Sequence, residues 1–155
     1  VLSFHFLLLR GTVMIGSLLI WFSAVFITLV CILFVIFLLI SLVDVEDDHV
    51  NPIHMCEKAN KIIIPEYICQ AVLVVLFLLT GYWVEVLLNL PLLLFHINRV
   101  QKREHLLDPT CIFSKTQTEK YIGMSKFVFY ILTLFYYLYQ IIAVATRAAL
   151  GRKAF

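Results

Sequence analysis

Three polar side chains, Glu85, Asn89 and His96, interrupt a stretch that is otherwise almost wholly apolar. Their spacing of i, i+4 and i+11 puts them along one stripe of a helix with 3.6 residues per turn. Such a stripe can relay protons or form a catalytic face. It can also hold a neighbouring helix through polar contacts, with Pro91 freeing a carbonyl for a partner. No nucleophile elbow, serine–lysine arrangement or metal motif stands near it, so the packing reading is favoured. Glu66 follows Pro65, and at the start of an apolar segment it would sit in the first helical turn, where the helix dipole favours a carboxylate. A helix cap and a contact with a partner are equally good readings of it. His49, His54 and Cys56 match no zinc spacing, and the four cysteines occur singly, without a C-x-x-C pair. No metal, cofactor or catalytic residue is expected.

The elements that must position these residues are apolar helices. Of 155 residues 63% are hydrophobic and only 14% charged, against about a quarter charged in a soluble domain. That composition excludes a soluble globular protein, a disordered tail and a disulfide-stapled module. A net charge of +2 without a basic face argues against nucleic acid as a partner. The expected class is an all-α integral membrane protein.

Gly11 to Val43 is a run of 33 residues without a formal charge. It is too short for two crossings, so one tilted span over 17–43 is predicted. The block from Ile62 to Asn98 has 37 residues. It suits two short spans, 62–80 and 82–98, with the turn at Gly81, whose backbone can take shapes other residues resist. The uncharged run 127–146 is a full span by itself. Its aromatic residues, among them Tyr130, Phe135, Tyr136, Tyr137 and Tyr139, reach the span centre, which points to packing with tyrosine hydroxyls bonded inside a bundle. Residues 1–13 read as an extension or an unstructured N-terminus, because Met14 is a natural start, and 147–155 as a short basic tail.

Four spans place eight lysines and arginines on the side of the two long loops and four on the side of the termini. Three spans give a weaker bias, so the positive-inside rule favours four, with lumenal termini and cytosolic loops.

Ordered sequence blocks add a family resemblance. They are Asn51-Pro52-Ile53, Cys56, Asn60-Lys61 leading to Pro65-Glu66, and Phe77-Leu78-Leu79-Thr80-Gly81-Tyr82-Trp83. Leu87-Leu88-Asn89-Leu90-Pro91, Leu106-Leu107-Asp108-Pro109-Thr110 with Ile112-Phe113, and Phe135-Tyr136-Tyr137-Leu138-Tyr139 complete the series. In this order they resemble the cornichon family over residues 14–146, most closely its fungal cargo receptors of endoplasmic-reticulum vesicles. The resemblance implies a four-transmembrane-helix bundle that captures membrane-spanning cargo proteins and links them to the COPII coat for transport to the Golgi. It also implies a coat-binding stretch at Ile112, Phe113, Ser114, Lys115 and Thr116, and a cargo-binding stretch at Phe77, Leu78, Leu79 and Thr80. Ser114, Lys115 and Thr116 depart from the fungal pattern. The implied partners are transmembrane cargo, the cargo-binding subunit of the coat and membrane lipids. A channel or receptor auxiliary subunit, and an intramembrane enzyme or proton-coupled transporter using Glu66, Glu85 and His96, are the competing functions.

Overall fold

A computed structural model describes the backbone of residues 2–153 and the side chains of residues 11–150. Four helices follow one another: α1 (Leu2–Glu46), α2 (Pro52–Thr80), α3 (Trp83–Gln101) and α4 (Ile112–Lys153). All four are long and apolar enough to cross a membrane, and no strand occurs among the described residues.

The boundaries follow local chemistry. Asn51 caps α2 by accepting a hydrogen bond from the Ile53 N–H at 2.9 Å, and Pro52 occupies the first helical position, where a missing N–H costs nothing. At the other end Gly81 adopts φ 78°, the left-handed conformation that terminates helices. The N–H of Gly81 donates to the Leu78 carbonyl and that of Tyr82 to the Phe77 carbonyl, at 3.4 and 3.0 Å. The break at Gly81 therefore divides the long apolar block into two antiparallel helices.

The helices outrun the predicted spans. α1 is helical from Leu2, so the backbone of 2–13 is neither unstructured nor separate from the first span. α2 begins ten residues before Ile62, and α4 begins fifteen residues before Phe127. Charged residues such as Glu57, Lys58, Glu119 and Lys120 had marked these stretches as loop, but charge ends a membrane span and not a helix. This also corrects the reading of Glu66, which lies deep inside α2 and not in its first turn.

The core is a seam along α1. Near the loop end Leu38, Leu42 and Val45 of α1 pack with Met55, Ala59 and Ile63 of α2, together with Leu107 and Ile112. In the middle Cys31, Ile32 and Val35 meet Leu92 and Tyr130. Near the Gly81 end Trp21 and Ala24 meet Leu73, Phe77 and Tyr137. α1 and α4 approach closely at Gly123, where an added Cβ would lie 2.7 Å from a Leu39 methyl. The connection from α3 to α4 is pinned to α2, because Asn60 donates to the Leu107 carbonyl at 3.0 Å and accepts from the Leu107 N–H at 2.7 Å.

Candidate functional site

Glu66, Glu85, Asn89 and His96 are all buried, at 1, 5, 1 and 2% exposure. None faces lipid, as the cost of a polar group in hydrocarbon requires. They belong to a larger polar system that joins α2, α3 and α4. At the loop end Arg99 of α3 makes a bidentate pair with Glu119 of α4, at 2.9 and 2.7 Å, and also donates to the Glu104 carbonyl. One turn deeper His96 stacks on Tyr67 with centroids 3.9 Å apart and planes 9° from parallel. Beside it the Lys126 ammonium donates to both oxygens of Glu66, at 2.9 and 3.0 Å, and sits 5.2 Å from the centre of the Tyr67 ring. The Tyr130 hydroxyl donates to the same carboxylate at 3.3 Å.

Further along, Gln70 of α2 donates to Asn89 of α3 at 3.2 Å, and Asn89 donates to the Tyr137 hydroxyl of α4 at 2.7 Å and to the Glu85 carbonyl at 2.8 Å. Near the Gly81 end the Tyr136 hydroxyl donates to the Glu85 carboxylate at 3.0 Å and accepts from Gln140 at 2.8 Å. Glu119 and Gln140 are 21 residues apart on α4, about 31 Å of helix, which matches the roughly 30 Å hydrocarbon core. The polar system therefore extends from the loop end of the bundle to the Gly81 end.

Its chemistry is that of satisfied pairs. Each carboxylate in it meets a cation or a hydroxyl, so the helices gain hydrogen bonds without leaving charge exposed. The exceptions are at side positions: His96 has no hydrogen-bond partner at either ring nitrogen, and Gln70 none at Oε1. His96 Nε2 lies 3.8 Å from Glu66, too far for a hydrogen bond. Among the described residues no group of three or more histidine, cysteine, aspartate or glutamate side chains could hold a metal.

Sequence reasoning found the α3 stripe but missed what it meets. Lys126 looked like the last loop cation, and Arg99 and Glu119 looked like loop residues. The signal that could have found them is spacing: Glu119, Lys126, Tyr130 and Tyr137 recur at seven, four and seven residues, one helical face.

The two stretches singled out for binding divide between inside and outside. Ile112 is buried in the α1–α2 core and Thr116 is buried with its hydroxyl donating to the Ile112 carbonyl at 2.7 Å. Phe113, Ser114 and Lys115 are exposed. The stretch is the first turn of α4 and not a loop. Asp108, in the preceding turn, accepts from the hydroxyl and the N–H of Thr110, which holds its carboxyl below the ordinary range. In the other stretch Phe77 is fully buried between Trp21 and Tyr137, while Leu78, Leu79 and Thr80 face outward. Leu79, at 81%, is the most exposed large hydrophobic residue among those described.

Fold and site together define a four-helix transmembrane protein with a paired polar interior and two short outward-facing stretches at opposite ends of the bundle. Comparison with known proteins gives the family. The profile described as Cornichon protein matches residues 18–139. Protein cornichon homolog 1 of Oryza sativa subsp. japonica is 39% identical over 123 residues, covering 79% of this chain and 91% of that protein. ER-derived vesicles protein ERV15 of Saccharomyces cerevisiae is 41% identical, over 64% of this chain and 70% of its own length. ER-derived vesicles protein erv14 of Schizosaccharomyces pombe is 40% identical, over 67 and 76%. The chain belongs to the cornichon family.

Proposed function

We propose that this protein is a receptor that gathers membrane-spanning cargo in the endoplasmic reticulum and couples it to the COPII coat for export to the Golgi, without catalysing a reaction. The observation that carries this reading is the similarity, at 40 to 41% identity, to two fungal proteins named for endoplasmic-reticulum-derived vesicles. The physical case agrees with it. A cargo receptor needs apolar side chains that compete with lipid, and Leu78 and Leu79, with Thr80 beside them, are exposed at the Gly81 end of α2. It also needs an apolar anchor outside the hydrocarbon. Phe113 is 60% exposed at the start of α4, beside Ser114 and Lys115.

In this reading Ile112 and Thr116 hold the first turn of α4 on the bundle so that Phe113, Ser114 and Lys115 face the coat. Phe77 in the same way fixes the backbone on which Leu78, Leu79 and Thr80 are displayed. Both termini are lumenal and residues 99–126 cytosolic, the arrangement that puts the larger number of lysines and arginines inside. The test is quantitative proteomics of endoplasmic-reticulum membranes from cells lacking the protein. A defined set of membrane-spanning proteins should accumulate there several-fold and return to normal when the chain is restored. An unchanged membrane proteome would contradict the proposal.

A further inference from the structure

α3 and α4 are joined by polar side chains, yet their backbones make almost no close approach to each other. Two neighbouring cavities lie in the gap. The first, of about 380 Å³, lies at the end of α3 and is lined by polar residues including Asn98, Arg99, Lys102, Glu104, Asp108 and Lys115. The second, of about 390 Å³, is an apolar groove one to two turns deeper, between Pro91, Leu92 and Phe95 of α3 and Tyr121, Ile122 and Phe129 of α4. Phe95 and Ile122 line both. From Ile122 to Phe129 the groove follows seven residues of α4, about 10 Å along the helix toward the uncharged span.

We propose that these two adjoining cavities together bind one glycerophospholipid with a primary-ammonium, zwitterionic head, of the phosphatidylethanolamine class. A mixed chamber edged by charged side chains at the end of α3, beside an apolar groove, has the amphipathic layout of a phospholipid and no counterpart in a soluble metabolite. The charges select the head. Arg99 and Glu119 satisfy each other. Lys102, Lys115, Glu104 and Asp108 form no close ion pair among the described residues, although Asp108 accepts from Thr110 and feels the charge of Lys115. Two cations for a phosphodiester and two carboxylates for an ammonium make a lining complementary to both ends of the head. A net-negative head would set its extra charge against Glu104 and Asp108. A choline head is disfavoured for another reason: its quaternary ammonium cannot donate to a carboxylate and needs several aromatic faces, and the chamber has one ring, Phe95. Tyr121, 72% exposed, lines the outer edge of the groove. Lys115 also belongs to the stretch proposed to face the coat, so the lipid reading is tested on the isolated chain, where no coat is present.

The test is native mass spectrometry of the full chain, released from nanodiscs that contain equal amounts of phosphatidylethanolamine, phosphatidylcholine and phosphatidylglycerol with identical acyl chains. One phosphatidylethanolamine should stay bound per protein, about tenfold over either competitor. The surface variant Lys102→Gln with Lys115→Gln should cut that retention at least fivefold while the thermal midpoint of the lipid-free protein stays unchanged. Ile122→Trp, which fills the groove, should abolish it. Equal retention of the three lipids, preference for phosphatidylglycerol, or a double lysine variant that binds as well as the unaltered chain would overturn the proposal.

Discussion

The two sides of α4 solve the same problem differently. Against α1 it packs through small and apolar groups, so closely that a Cβ at Gly123 would require the Leu39 side chain to shift. Against α3 it stands off and reaches across with Arg99–Glu119, Asn89–Tyr137 and Glu85–Tyr136. In lipid, burial of apolar surface gives no net drive for helices to associate, so contact comes from close packing or from polar pairs. The α1–α4 seam uses the first and the α3–α4 side the second. A seam of fitted side chains fills its own space, whereas a side held by long polar links leaves a gap.

Breaking the polar links of α4, which include the pair to Glu66 of α2, should have the largest effect where a charge is stranded. Lys126→Leu leaves Glu66 as a buried carboxylate without its cation, and the bundle should lose about 3 to 5 kcal/mol. Removing both partners, with Glu66→Leu and Lys126→Leu together, should recover most of that loss. Reversible unfolding in mixed micelles measures both, and a single variant as stable as the double would mean that the pair carries no weight.

Breaking the packed side comes next. Gly123→Leu should cost about 1 to 3 kcal/mol through overpacking against Leu39. Combining it with Leu39→Ala should relieve the clash, measured by the same unfolding assay. A neutral Gly123→Leu would mean that α1 and α4 are looser than their spacing indicates.

The smallest change in stability is expected at Glu85. Glu85→Gln still accepts from Tyr136 and should stay within about 0.5 kcal/mol, while Glu85→Leu should cost about 1 kcal/mol. Trafficking by the Gln variant should be near normal in a pulse-chase assay of export. A Gln variant that folds normally but does not function would point to proton chemistry in place of packing.

This contrast also explains what could be read from the sequence. The number of helices and the break at Gly81 are legible, because an apolar run of given length and a glycine between two such runs have few physical solutions. Glu85, Asn89 and His96 are legible as a stripe, since spacing along one helix is local information. Their partners are not: Lys126 stands 60 residues from Glu66, and a lysine near the end of a span looks the same whether it faces water or a buried carboxylate. For the same reason the extent of α2 and α4 was underestimated, and Ile112 gave no sign that it turns inward while Phe113 turns out. Whether a side chain in an amphipathic first turn meets its own bundle is decided by Leu38, Leu42 and Met55, far away in sequence.

The account holds that the interior keeps the bundle together while the outward stretches do the work, and vesicle budding from isolated endoplasmic-reticulum membranes tests this most directly. Membranes carrying Leu78→Ala, Leu79→Ala and Thr80→Ala in one chain should bud vesicles that contain the receptor at its normal level but its cargo severalfold depleted. Membranes carrying Phe113→Ala should bud vesicles depleted of both. Normal cargo packaging by the first variant, or normal receptor packaging by the second, would contradict it.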